Sequence, residues 1–359
     1  MTLIKNTFAL GFPWPTPDPF LFCVYHRDIY PAANDNAGPD ASLAGRNLGQ
    51  DFTIKDGWRM YHGQQVPGFP GHPHCGFETL TVVTEGWVDH ADSLGASGRY
   101  GAGDVQWMTA GAGLQHSEMF PLLQKDRQNP LELFQIWLNL PRKSKAVTPG
   151  YKMLWKEQIP VIQQDGAALT LTSGAWFVQD LAHSWGVDEP SLPAPPSDSW
   201  AFAPEHEVVV GVLRLEAHAK ITLPAARGEV QRFLYFFEGE SLALQQEHHP
   251  VDTGFELDSS QPLTLSNGEQ PARLLLLQGL PIKEPVAQYG PFVGNTRADI
   301  LRAHENYQKT QFGGWPWDTQ EPVHGAASRF AHFPATEKTA ERHETPTQQN
   351  QQNSQEIKV

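Results

Sequence analysis

Gly71-His72-Pro73-His74-Cys75-Gly76-Phe77-Glu78-Thr79 and Gly111-Ala112-Gly113-Leu114-Gln115-His116-Ser117-Glu118-Met119 decide how the rest of this sequence reads. The first holds a His-x-His pair and the second a His-x-Glu pair, with strand-like and glycine-rich segments between them. Residues two apart on a strand point to the same face. Each pair can therefore aim two metal-binding groups at one point, and a closed sheet can bring the pairs together. Three imidazoles and one carboxylate suit a first-row transition metal, iron among them.

The chain around this stretch has 359 residues, enough for two ordinary domains with their own cores. Hydrophobic residues make up 40% and charged residues 18%, a globular balance. The 31 glycines and 30 prolines fit many short strands joined by turns better than a helical protein. A net charge of −14 carries no nucleic-acid footprint, which would be a basic patch or stripe, and argues against an anionic membrane surface. Two cysteines, Cys23 and Cys75, imply no disulfide framework. The start, Met1-Thr2-Leu3-Ile4-Lys5, lacks the apolar region and cleavage site of a signal peptide. No apolar run approaches the ~20 residues that span a bilayer. A reduced, cytoplasmic protein is expected.

Strand signals recur along the chain. The first is the patch Phe20-Leu21-Phe22-Cys23-Val24-Tyr25, with loops around it. Leu80-Thr81-Val82-Val83 and Trp87-Val88-Asp89-His90 follow, with Glu85-Gly86 as the turn between them, and then Val105-Gln106-Trp107-Met108. In Leu131–Leu140, Phe134, Ile136, Leu138 and Leu140 make one apolar face, while Gln135 and Asn139 lie on a mixed face suited to a barrel wall lining a pocket. Five prolines within 185–206 mark loops or an interdomain connection. Strands resume at Val208–Val210, Leu213–Ala217, Ile221–Leu223, Phe233–Phe237, Leu242–Leu244 and Leu274–Leu277. Thr296-Arg297-Ala298-Asp299 reads as a helix-capping box, ahead of a stripe of Ile300, Leu301, Ala303 and Tyr307 closed by Gly313-Gly314. From Pro334 the chain is polar and reads as a disordered tail.

There is also an internal repeat. Val82-Val83-Thr84-Glu85-Gly86 and Tyr235-Phe236-Phe237-Glu238-Gly239 are each a strand running into a Glu-Gly turn. The same offset carries His72 and His74 onto Ala225 and Arg227, and no second His-x-Glu follows between Glu238 and Leu280. A duplicated barrel would have lost its second metal site.

Of the 15 histidines, His72, His74 and His116 are the expected ligands, whereas His90, His248 and His249 read as turn or surface residues. Pro73 fixes φ and removes a donor, which favours an extended backbone between its two histidines. Glu78 and Glu118 compete for the fourth position. The general cupin pattern, His72, His74, Glu78, Gly86 and Gly113-Leu114-Gln115-His116, favours Glu78, while the same-face argument favours Glu118.

The two opening stretches, with Asp92-Ser93-Leu94-Gly95, Gly103–Gly111, Gln135–Pro141 and Glu284–Val293, resemble the signature of the pirin family over residues 15 to 315. The resemblance implies an all-β bicupin: an N-terminal metal-binding barrel over 1–165, a second barrel without a metal site over 166–290, a C-terminal segment with a short helix over 291–333, and a tail over 334–359. It implies that His72, His74, His116 and Glu118 ligate one mononuclear divalent metal, most often Fe(II) though other divalent ions are accepted, with Glu78 a nearby structural group. Pirins commonly carry Arg where this chain has Cys75, which removes a positive charge beside the ligands.

Two functions follow from the resemblance. One is a quercetinase-like oxygenase acting on a small aromatic substrate with dioxygen, Glu118 serving as catalytic base as well as ligand. The other is a metal- or redox-sensing protein that regulates a protein partner without turnover.

Overall fold

The computed structural model describes residues 2–333 together with 342 and 343. Its strands are β1 (Ile4–Ala9), β2 (Phe20–Tyr30), β3 (Gly68–His74), β4 (Phe77–Glu85), β5 (Trp87–Asp92), β6 (Ser97–Gly101), β7 (Val105–Thr109), β8 (Leu114–Met119), β9 (Asn129–Asn139), β10 (Gly150–Leu154), β11 (Val161–Gln164) and β12 (Ala167–Ser173). After helix α1 (Ala175–Trp185) come β13 (Val209–Leu215), β14 (Lys220–Leu223), β15 (Gln231–Glu238), β16 (Ser241–Leu244), β17 (Glu247–Pro250), β18 (Thr253–Leu257), β19 (Leu263–Asn267) and β20 (Ala272–Gly279). The chain continues through β21 (Ala287–Tyr289), β22 (Phe292–Gly294), helix α2 (Arg297–Thr310) and β23 (Phe330–His332). Of the tail from Pro334, residues 342 and 343 pair with β23, and the expectation of disorder for the remainder lies outside the described residues.

The chain divides into two compact units. One comprises Met1–Val24, Ile136–Pro141 and Glu157–Glu284, and the other Tyr25–Gln135, Arg142–Lys156 and the chain from Pro285. The second of these carries the opening stretch. Its sheets run β10-β7-β4-β9-β2 and, leaving aside the tail, β23-β6-β5-β8-β3. The other unit has β1-β18-β15-β20-β13-β12-β11 and β14-β19-β16-β17. Within these orders β7-β4-β9-β2 is matched by β18-β15-β20-β13, and β6-β5-β8-β3 by β17-β16-β19-β14. The repeat glimpsed at the two Glu-Gly turns is thus a repeat of eight strands, the two-sheet arrangement of a cupin written twice. The sheets stay separate and do not close into continuous hydrogen-bonded barrels.

Strand β4 shows why the unit that carries the opening stretch needs two covered faces. Phe77 to Val83 are all buried, so apolar and threonine side chains, with Glu78 among them, run on without alternation. Gly86 follows with φ +82°, and a Cβ there would lie 2.7 Å from the Pro130 carbonyl oxygen. That turn does not fold β5 back onto β4: the two strands belong to different sheets. Tyr30, Tyr61, Val83, Val88, Tyr100 and Leu133 meet in the core of this unit. The other unit is filled by aliphatic and aromatic residues, including Leu213, Leu234, Phe236, Phe255, Leu274 and Leu276.

The capping box before α2 is present: Thr296 accepts from the Asp299 backbone N–H, and Asp299 accepts from that of Thr296. Ile300 is buried with Phe292 and Phe312, and Cys75, Ala303 and Tyr307 pack against this cluster. Leu301 departs from the expected stripe, being 56% exposed. The helix ends at Gln311 in the left-handed conformation, ahead of Gly313-Gly314. Helix α1 was not expected. Phe177, Val178, Leu181, Ala182 and Trp185 have helical spacing, but Gly174 at its N-cap makes no side-chain cap.

Candidate metal centre

Strands β3 and β8 are antiparallel, with His72 directly opposite His116 and Phe69 opposite Glu118; a register shift falls between Phe69 and His72. Alternation along β3 turns His74 to the same face as His72. The ligand atoms of His72, His74 and His116 lie within 4.8 Å of one another. Their rings are 4.5 Å apart for His72 and His116, 4.8 Å for His72 and His74, and 4.9 Å for His74 and His116. His72 Nδ1 is 2.8 Å from the Pro70 carbonyl. A carbonyl only accepts, so Nδ1 carries the proton and Nε2 presents its lone pair. Both nitrogens of His116 are buried without a hydrogen-bond partner.

Burial lowers the pKa of His72 to about 4 and those of His74 and His116 well below the ordinary value, with neighbouring imidazoles adding to the effect in all three. All three are therefore neutral at pH 7, the form that binds metal. In metal-free protein, the imidazole resonances of these three residues should not titrate between pH 8 and about pH 5. Titration near 6.5, the value of a solvated histidine, would contradict the buried cluster. The unfolded chain gains these protons below 6.5 while the folded chain stays unprotonated down to about 4. Stability therefore falls as pH falls through that window.

Glu118 Oε2 lies 3.9 Å from His116 Nε2. Gln135 Nε2 donates to Oε2 at 2.6 Å, and the Tyr100 hydroxyl donates to Oε1 at 3.3 Å. The Thr81 hydroxyl is 2.8 Å from both Glu118 Oε1 and Gln135 Oε1, and can donate to one at a time. Burial raises the pKa of Glu118, against the opposing pull of these donors. Gln135 thus faces this site from the mixed face of β9. Glu78 is held by the Thr109 hydroxyl at 2.7 Å, opposite it on β7.

His90 requires a correction. It is a fully buried residue of β5, not a turn or surface histidine. It stands opposite Glu118, and Asp92 stands opposite His116. His90 Nε2 is 3.2 Å from Asp92 Oδ2, and its ring is 5.5 Å from that of His116. His90-Ala91-Asp92 is a third pair at the same i, i+2 spacing, and that spacing was the signal that could have found it. His248 is exposed and His249 half-buried on β17.

Cys75 is half-buried, its thiol 3.5 Å from the Gly111 carbonyl, and burial pushes its pKa up to about 11. It is therefore a protonated thiol at neutral pH rather than a reactive thiolate. Cys23 is fully buried and likewise free.

Residues 40–138 match the Pirin family model, and residues 210–313 match that of the Pirin C-terminal cupin domain. A pirin-like protein of Solanum lycopersicum is 34% identical over 278 residues, covering 75% of this chain and 86% of its own. The chain belongs to the pirin family. Mouse pirin is 31% identical over 259 residues, covering 70% of this chain and 80% of its own. Among solved structures, a quercetin 2,3-dioxygenase from Acinetobacter baumannii superposes with a TM-score of 0.65 at 25% identity, covering 88% of this chain and 99% of that one. As a pirin, the chain is a bicupin, and the histidine cluster lies within the matched N-terminal segment. Among the described residues, no helix is long and apolar enough to cross a membrane.

Proposed function

We propose that this pirin is a metal-dependent oxygenase of the quercetin 2,3-dioxygenase type, opening the ring of a flavonol or a related aromatic enol with dioxygen. The observation that carries the proposal is the cluster of three neutral histidines, His74 and His116 buried and His72 half-buried, with Glu118 beside them. Their donors fit a divalent first-row metal, Fe(II) among them: three imidazole nitrogens and one carboxylate, with both His116 nitrogens otherwise unpartnered. His72, His74, His116 and Glu118 would hold it. When bound, such an ion acts as a Lewis acid on the substrate's hydroxyl–carbonyl edge and lowers the hydroxyl pKa.

The chain's own residues supply the rest. Glu118 Oε1 or Oε2 accepts the hydroxyl proton. Gln135 and Tyr100 hold the carboxylate in place by donating to it. The name of the Acinetobacter baumannii relative supports the substrate class. The free cysteines are compatible with a cytoplasmic location.

The test is reconstitution with Fe(II), addition of quercetin under air, and measurement of flavonol absorbance and dioxygen uptake. Absorbance is expected to fall as dioxygen is taken up, with many turnovers per metal ion. Tight metal binding with no turnover on any divalent ion would overturn the enzyme reading in favour of a metal sensor.

A further inference from the structure

The metal-type cluster uses only one of the two repeats. The other unit has a polar anomaly of its own inside its apolar core. Arg232 on β15 is 1% exposed and Gln278 on β20 is fully buried. They stand directly opposite each other, with Leu257 opposite Arg232 on the other side and Val209 opposite Gln278. These four side chains form one row on the inward face, continued along β15 by the core residues Leu234 and Phe236.

Arg232 Nε donates to Gln278 Oε1 at 2.6 Å. That bond consumes the one acceptor in the pair and fixes the amide so that its NH2 group points elsewhere. Both terminal nitrogens of Arg232 and the Gln278 amide nitrogen are buried with no hydrogen-bond partner. The row therefore offers only donors, and it carries a positive charge. Burial lowers the Arg232 pKa to about 10, which still leaves it charged at neutral pH. The carboxylate that acts on it, Glu207, turns its two oxygens to the backbone N–H groups of Arg227 and Gly228 and makes no hydrogen bond to either terminal nitrogen of Arg232. The guanidinium carbon lies 5.8 Å from the Phe177 ring, in the first turn of α1, whose N-terminus has no side-chain cap. A helix start favours negative charge.

A buried, unpaired guanidinium costs several kcal/mol in general unless an anion accompanies it. When Glu238-Gly239 is aligned with Glu85-Gly86, Arg232 takes the place of Thr79, one inward position from the Thr81 that contacts Glu118. The repeat that lacks the histidines thus carries its donors at the corresponding level of its own interior.

We propose that this second repeat binds a small carboxylate anion, held by the two terminal nitrogens of Arg232 and the amide of Gln278. The guanidinium fork matches a planar carboxylate through two parallel hydrogen bonds. A carboxylate would accept from the two terminal nitrogens of Arg232, which no described residue reaches, and the flanking Val209, Leu257 and Phe177 suit a ligand with an apolar remainder.

The test is titration calorimetry of the full chain with sodium acetate against sodium chloride at equal ionic strength, in metal-loaded and metal-stripped protein. Saturable one-to-one acetate binding is expected in both preparations. It should be lost in Arg232→Met and weakened about tenfold or more in Gln278→Leu, which keeps the charge but removes the amide donor. In acetate-free buffer Arg232→Met should unfold at a higher temperature than the parent, since it replaces an unpaired buried charge by an apolar chain. If Arg232→Met does not fold, Gln278→Leu decides. Absence of acetate binding to the parent, heat identical with chloride, binding that requires the metal, or binding unchanged in a folded variant would each overturn the proposal.

Discussion

His116→Ala is expected to reduce bound metal from one equivalent to near zero and to abolish flavonol turnover, while leaving the fold intact. The argument rests on where this side chain stands. His116 is fully buried, directly opposite His72, with both ring nitrogens unpartnered. Its removal strands no hydrogen-bond partner, so the metal-free variant should lie within about 1–2 kcal/mol of the parent in stability, the ordinary range for a single substitution. Removing a residue that only orients a ligand typically costs 10–100-fold in metal affinity. Loss of a ligand itself should exceed that. Elemental analysis, chemical denaturation and dioxygen uptake on the same preparation check the three parts. A variant that keeps its metal would show that the imidazole is not a ligand.

The second large effect separates two carboxylates. Glu118→Ala should lose metal and activity together, and Glu118→Gln, which preserves shape, should lose activity by about 10²–10⁴-fold, the usual contribution of a positioned base. Glu78→Ala should retain the metal. Its cost should fall on stability, about 1–3 kcal/mol, because the buried Thr109 hydroxyl loses its acceptor. The geometry underlies this contrast. Glu118 stands 3.9 Å from His116 Nε2 and collects donors from Gln135 and Tyr100, whereas Glu78 is tied to the neighbouring strand β7. Retention of metal by Glu118→Ala and its loss from Glu78→Ala would reverse the assignment.

Much of this site can be read from spacing alone, because the i, i+2 rule turns His72 with His74, and His116 with Glu118, to one face without knowledge of the fold. The choice between Glu78 and Glu118 could not be made that way. Both are buried strand residues, and what distinguishes them is which strand stands opposite. His90 was misread for a related reason. A histidine near a turn is exposed when its strand is an edge, but β5 lies between β6 and β8, so His90 is enclosed. Strand pairing also explains the Glu85-Gly86 turn, whose flanking strands enter different sheets although the local sequence suits a hairpin. Helix α1 escaped because its N-cap is Gly174 with φ +126° and no side-chain cap, leaving only the spacing of its apolar residues as a signal. The eight-strand repeat was legible in five residues, since the core of the unit with β13 to β20 is filled by aliphatic and aromatic side chains that keep a strand pattern without repeating the identities of the metal-type strands.

Metal analysis of freshly purified protein, prepared under argon and again under air, tests the central claim most directly. One transition-metal ion per chain, released when His72, His74 or His116 is replaced by alanine, is the predicted result. A parent protein that carries no transition metal in either preparation, and takes up none when Fe(II) is supplied, would contradict it.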